Sequence, residues 1–544
     1  MSEEIAARNK QAPQWLLQFT LLEGDFIAWT VFCGALCQFL FFTWWTFDQP
    51  IIDGWGFRPA QTAITIPYML REGAWVANLV PVFGEPWTFP LEFPFYQWCT
   101  ALLSWITDGP VGGCGRLVSA FFAVAILWPL FLLAEESGLP TARRVSLLVG
   151  ALWLFAPVVV FWGRSVLIET TVVFLSVAWL AFFVRFLTRR NWTNYLPCIG
   201  FGVVAAMAKI TILAGFVVAG LFYTCFWIWQ KRRNLSAYIF PLTLAGTTLC
   251  VAAAAFLLWG SYTDKMLIQN PLTSMLRVSN IPGWYFGAWS DRWSFNLWGW
   301  AIRSRDLPEA LGNGWPIAAL GLVYLALLRR WLWLWVAIAL IVSYLSVYLF
   351  FPRLHTDNVY YQIENVLLLC ASVAVIAEGI FQRGHFLLAN GLLVATVLSQ
   401  VWSLYTGVYR QILFVDYHKH PYYQAGLAVQ QATPPEAVVV VFGTGFGSDV
   451  PYFAARRGFV VANWCPESLI ETMLFEQRRQ WFGGRNLGAM VDCSVFEGQR
   501  ITPALEPIRD ALKRELNTKP IKLIGPFNGL TIDPPSCDLY LPRR

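Results

Sequence analysis

Asp53, Arg58, Gln61, Glu85 and Glu92 fall within one short stretch, residues 48–97, interleaved with Trp, Phe, Tyr and Pro. That stretch is too polar to cross a bilayer and too rich in Gly and Pro for a single helix. Charge mixed with aromatic rings is what a membrane–water boundary collects, and ionisable groups at that depth are costly to bury, so they point to function. Further along, Glu169, Lys209, Arg292 and His355 stand near the ends of apolar runs. A carboxylate so placed could take a proton from an attacking hydroxyl or amine. Nearby cations could neutralise a departing phosphate. Together these groups suit a phosphate-bearing lipid with its head outside and its tail in the bilayer. The rings of the same stretch could lie on a prenyl chain or stack on a sugar.

The rest of the chain sets where these groups stand. Of its 544 residues 57% are hydrophobic, 17% aromatic and only 13% charged, with a mean hydropathy of +0.51. Soluble domains carry roughly 25% charged residues, and apolar runs near the length of a hydrocarbon core recur here. The fold class is a polytopic α-helical membrane protein. Its +6 net charge lies in short basic clusters between apolar runs, which reads as topology and excludes nucleic acid as a partner. Arg8 with Lys10, Arg143-Arg144, Arg189-Arg190, Lys231-Arg232-Arg233, Arg329-Arg330 and Arg383 all mark the inner side.

One path satisfies every cluster, with about eleven crossings at the usual spanning length. The first helix covers 25–46 and exits, so 47–115 is an external loop whose apolar pieces, such as 94–106, lie along the interface. Helices over 116–134, 145–162 and 169–187 follow, with 163–168 as a tight external turn. The segment 195–230 lies between two inner clusters and must go out and return, which puts Lys209 at the outer end of two helices. Helix 237–260 leads to an external loop, 261–314, that carries Arg292. Helices over 315–328 and 332–350, the outer loop 351–361, and helices over 362–380 and 386–403 complete the transmembrane module, residues 1–403. The opening residues lack the pattern of a cleaved signal peptide, so the first apolar run is expected to stay.

Residues 404–544 have the composition of a small soluble α/β domain on the external side, with strands at 438–443, 458–463 and 521–525 and helices at 466–480 and 504–516. Gly443-Thr444-Gly445-Phe446-Gly447 follows a strand, but its spacing is not that of a dinucleotide loop, and a strand-end turn is the better reading. Most of the 11 cysteines sit in apolar runs as small buried hydrophobes. Cys99 with Cys114, and a pair among Cys465, Cys493 and Cys537, could form disulfides in an oxidising compartment.

Each candidate also has a plainer reading. Asp53 could cap a juxtamembrane helix, Arg58 could bind headgroups, and Glu92 could make a structural ion pair. Glu169 at a helix start is favoured by the macrodipole, Lys209 could snorkel, and His355 could be structural. What speaks against the plain readings together is that all these groups land on one side.

The stretches GFRPAQTA (56–63), PVFGEPWTFPLEFPFYQ (81–97), GRSVLIET (163–170), AAMAKITIL (205–213) and HTDNVYYQ (355–362) resemble the GT-C superfamily of polyprenyl-phosphate-sugar-dependent glycosyltransferases. Within it they are most similar to the bacterial family-39-like enzymes related to protein O-mannosyltransferases and the lipid A aminoarabinose transferase. The resemblance covers residues 15–400. It implies that Asp53, before Arg58, is the catalytic base of the first external loop. The family usually has an acidic residue closer to the basic one, often doubled, so Asp48 stays as an alternative. Glu92 is similar to the family's Glu-Lys-Pro segment without its lysine, and Glu169 matches the second acidic position. Lys209 matches a lysine that contacts the lipid phosphate, and His355, Tyr360 and Tyr361 match a His/Tyr segment.

The expected activity is therefore a hexosyl- or pentosyltransferase at the external, periplasmic face of the inner membrane, taking its sugar from undecaprenyl phosphate or a similar polyprenyl phosphate. Asp53, Glu92 and Glu169 are the catalytic candidates, and would be the ligands if a divalent metal ion takes part. Arg58, Lys209, Arg292 and Arg353 would hold the phosphate, and Gln61, Tyr96, His355, Tyr360 and Tyr361 would bind sugar or acceptor. The acceptor could be a lipid such as lipid A, a glycan or a protein. Two other classes fit a polytopic chain. A lipid-linked-sugar transporter or flippase would put charges deep within helices and carry inverted repeats. An assembly scaffold would give no reason for acidic and basic groups to converge.

Overall fold

The computed structural model describes residues 14–52, 57–139, 141–231, 239–494, 502–524 and 536–542. Asp53 therefore lies outside the described residues. Eight described helices are long and apolar enough to cross a membrane, or nine when a bent pair, Asn296–Leu311 and Trp315–Leu327, is taken as one span. The chain is a multi-pass membrane protein. Large apolar side chains such as Leu258, Leu327 and Leu387 stay exposed along these helices, as they must where the solvent is hydrocarbon rather than water.

The longest helix, Trp192–Lys231, is two helices joined at Lys209, whose backbone is extended (φ −165°, ψ 91°). The two halves fold back on each other. A Cβ built on Gly202 would lie 2.7 Å from the Trp179 ring and one on Gly220 would lie 3.2 Å from it. In a straight helix these positions would be roughly 27 Å apart, more than one indole can bridge. The segment thus reverses, with Lys209 at its turn. The expected 145–162 span is divided as well, into Ala142–Phe155 and Pro157–Trp162, because Pro157 has no N–H to continue the helix. With the hairpin counted as two crossings, each expected crossing has its helix.

Loop 47–115 holds two helices, Phe57–Glu72 and Phe95–Thr107. The second buries Tyr96, Thr100 and Ala101 and exposes Leu102, Trp105 and Ile106, the one-sided pattern of a helix lying at an interface.

The C-terminal part carries a five-stranded sheet in the order β2-β1-β3-β5-β4, made of β1 (Val438–Phe442), β2 (Arg457–Val461), β3 (Leu487–Ser494), β4 (Ile521–Ile524) and β5 (Ser536–Tyr540). β1 runs parallel to β2 and β3, whereas β5 is antiparallel to β3 and β4. The strands β3 and β5 escape a reading for apolar runs because Gly488, Asp492 and Asp538 interrupt them. Cys493 lies opposite Cys537 in the β3–β5 register, and the two form a disulfide across 44 residues of sequence. Cys465 is free, and so are Cys99 and Cys114. The pairing of Cys99 with Cys114 does not form: the Cys114 sulfur lies 3.7 Å from the Thr107 hydroxyl instead. Replacing Cys493 and Cys537 together by serine is expected to cost about 2–4 kcal/mol in the C-terminal domain. Proteolysis of that domain would then begin at a lower denaturant concentration, and dithiothreitol would have the same effect on the native protein.

Candidate functional site

Three elements distant in sequence meet around Lys209. Helix Glu169–Arg189 presents Glu169 in its first turn, the hairpin presents Lys209, and helix Ile363–Phe381 presents Glu364 in its first turn. The ammonium lies 2.7 Å from Glu169 Oε1 and 2.8 Å from Glu364 Oε1. All three side chains are buried, at 6%, 1% and 0% exposure. A buried charge is tolerated when paired, and the extended residue at the turn sets the lysine between two helix starts. Tyr361 and Tyr360 cover it, with ring centroids 3.8 and 5.4 Å from Nζ.

Loop 47–115 reaches the same place. The N–H of Phe93 donates to the carbonyl of Met207 at 3.2 Å, which joins the loop to the hairpin turn two residues before Lys209. Glu92 pairs with the Arg58 guanidinium, and Arg58 Nη1 donates to Gln61 Oε1 at 3.2 Å. Burial acts against the Arg58 charge, but Glu92, Tyr360, Tyr361 and Glu169 outweigh it and hold its pKa above the ordinary value. Burial pushes the Tyr360 hydroxyl up to about 12, with Arg58 and Lys209 opposing and Glu169 and Glu92 adding. Tyr360 thus stands within the field of both pairs.

His355 is fully buried beside Tyr348 (4.6 Å between ring centroids) and Tyr361 (5.8 Å). Burial, reinforced by Arg305 and Lys209, pushes its pKa down to about 3, so the ring is neutral at physiological pH. Its ring nitrogens, both amide atoms of Gln362 and of Asn365, and Glu169 Oε2 have no hydrogen-bond partner among the described residues. Buried polar atoms are normally satisfied, so these groups keep the capacity to hold hydroxyls or phosphate oxygens.

No family model matches the chain, and no curated protein matches it by sequence. Solved structures do. ArnT from Cupriavidus metallidurans bound to undecaprenyl phosphate is similar over 97% of this chain and 98% of its own, with 13% identity and a TM-score of 0.53. The apo ArnT structure is similar over 96% and 98%, with 13% identity and a TM-score of 0.52. A weaker likeness is to the archaeal oligosaccharyltransferase AglB from Archaeoglobus fulgidus, in complex with an inhibitory peptide and a dolichol-phosphate, over 84% of this chain and 69% of that one at 13% identity and a TM-score of 0.48. The chain has the GT-C fold.

Within this GT-C fold some expected site residues stand apart. Tyr96 is buried in another cluster, with Ile51, Ala63 and Val166. Its hydroxyl donates to the Gly115 carbonyl at 2.8 Å and accepts from Ser119 at 3.1 Å, which ties two helices together. Arg292 is half-buried, donates to the Ala288 carbonyl of its own loop at 3.0 Å, and lies over Trp289. Arg353 is 55% exposed and meets Asp357 at 3.3 Å. Neither reaches Lys209 through any of these contacts. Among the described residues no three His, Cys, Asp or Glu side chains stand together as a metal site. Glu92 and Glu169 face different cations, and Asp53, the third expected ligand, lies outside the described residues.

Other buried ions were not singled out by the sequence. Glu364 looks like an ordinary first-turn acid before an apolar run. Arg116 is 0% exposed and donates to the carbonyls of Gln49 (3.2 Å) and Pro50 (3.5 Å). Arg164 is 1% exposed and donates to the Thr46 hydroxyl at 2.9 Å. Two buried cations are thereby fixed to residues 46–50, the segment that leads into Asp53. Arg305 stands behind His355 and donates to the carbonyls of His355 and Thr356. An arginine in a polar loop carries no local mark of such burial.

Proposed function

We propose that this chain is a glycosyltransferase that moves a sugar from a polyprenyl-phosphate donor to an acceptor at the external face of the inner membrane. The observation that carries the reading is the Lys209 turn, with its two buried carboxylates, the Arg58–Glu92 pair on loop 47–115 and a set of buried polar atoms still able to bind. The fold shared with ArnT, which was solved with undecaprenyl phosphate, supports the donor class. The Cys493–Cys537 disulfide supports an oxidising, external side for the C-terminal domain. Residues 1–403 make up the catalytic module and 404–544 that domain.

In this mechanism Asp53 takes the proton from the acceptor's hydroxyl or amine. The acceptor atom bonds to the anomeric carbon from the face opposite the phosphate, the carbon–oxygen bond to phosphate breaks, and configuration inverts. Polyprenyl phosphate leaves with the bonding pair, steadied by Arg58 and Lys209. Glu169 and Glu364 fix the lysine. Neutral His355, Gln362 and Asn365 hydrogen-bond sugar hydroxyls beside the rings of Tyr360 and Tyr361.

The reading is tested by extracting envelope lipids and glycans after deletion and after overproduction, and comparing them by mass spectrometry. A sugar increment lost in the first and gained in the second is expected. Identical extracts, with undecaprenyl phosphate failing to bind the purified protein, would overturn it.

A further inference from the structure

The C-terminal domain is joined to loop 47–115 along a continuous seam. β2 is an edge strand of the sheet, and the loop pairs with it. The N–H groups of Gly458 and Val460 donate to the carbonyls of Pro81 and Val82, each at 2.7 Å, and Phe83 bridges Phe459. Added strands of this kind bind through main-chain hydrogen bonds. Nearby, the N–H of Glu85 donates to the Trp481 carbonyl at 2.8 Å, and Arg457 meets Glu72 at 2.8 Å. Behind the seam, the turn after β1 places Phe446 against Phe57 (4.5 Å between ring centroids), Phe83 (6.1 Å) and Phe89 (6.3 Å).

We infer that the C-terminal domain aims the Arg58 guanidinium, using Gln61 as the go-between. Gln61 is 2% exposed. Its Nε2 donates to the Phe446 carbonyl at 3.3 Å, and its Oε1 accepts from Arg58 Nη1 at 3.2 Å. A carbonyl only accepts and a guanidinium only donates, so these two neighbours impose a single orientation on the amide; a flipped amide would set oxygen against oxygen and donor against donor. With Gln61 on one nitrogen and Glu92 on the other, the plane of the guanidinium is set, and its other N–H groups remain for an anion. Gln61 is thus a positioning residue. The Gly443–Gly447 turn also acquires a role, since it presents the Phe446 carbonyl. The inference rests on the reading of Arg58 as a phosphate-holding group.

The test uses the full-length protein in detergent and undecaprenyl phosphate as probe, with affinity read from tryptophan quenching. Gln61→Leu removes one hydrogen bond to a charged group, and about a tenfold weaker Kd is expected. Once Arg58 is alanine, the same substitution should change affinity less than twofold, because Gln61 acts only through Arg58. Phe446→Ala should reproduce the loss, and the milder Phe446→Leu should recover most of it. Additive losses in the double variant, or native affinity in Gln61→Leu, overturn the inference. Should the wild-type protein not bind undecaprenyl phosphate, the glycosyl-transfer reading fails, and amide hydrogen exchange then decides the positioning claim. Protection over residues 57–66 should fall in Phe446→Ala but not in Arg478→Ala, whose partner Glu515 lies on the domain surface. Equal protection in both variants overturns it.

Discussion

Lys209→Met should destabilise the protein by about 3–5 kcal/mol, because it leaves the two buried carboxylates of Glu169 and Glu364 without their cation. The methionine keeps the length and apolar character of the stem, so the loss reports the charge and not a cavity. The triple variant Lys209→Met, Glu169→Gln, Glu364→Gln removes the whole ion cluster and should regain most of that stability. Replacing a complete buried ion set by neutral groups is often nearly cost-free, whereas deleting one member is not. Equilibrium unfolding in detergent micelles reads both. Transfer of sugar should be lost in the single and the triple variant alike, which separates the lysine's part in folding from its part in holding phosphate. A Lys209→Met protein as stable as the wild type would mean that the ammonium is hydrated and that the turn at residue 209 is not the buried junction described above.

Asp53→Asn should lower transfer by a factor on the order of 10²–10⁴, the usual contribution of a positioned general base. Folding and the affinity for undecaprenyl phosphate should stay near native, since asparagine matches the carboxylate in shape and the proposed phosphate grip lies on other residues. Single-turnover transfer with purified donor, run beside a binding isotherm, distinguishes the two effects. Full activity in this variant would move the base to Asp48, which is exposed, or to Glu92, which is already engaged by Arg58. Glu92→Gln then becomes the informative comparison, because it also releases the guanidinium.

The membrane-spanning pattern was decided by the sequence alone. Hydrocarbon thickness dictates the length of each apolar run, and unsatisfied backbone is excluded from lipid, so local composition carries that information. The same logic placed Lys209 at a turn between two helices, since an apolar segment lying between two inner basic clusters has to reverse. Pairing is another matter. Glu169 and Lys209 are 40 residues apart, and Gln61 finds the Phe446 carbonyl across 385; no periodicity or spacing encodes such meetings. Glu364, Arg116 and Arg164 have the local appearance of a helix-start acid and of interfacial cations, and only packing against other helices buries them. Cys537 was one of three candidates until the β3–β5 register set it opposite Cys493. Hydropathy acts on each segment separately, so it survives in a linear reading. Ion pairs, strand register and amide orientation depend on which segments come to share a dry space, and that is settled only when the helices and the sheet have closed around it.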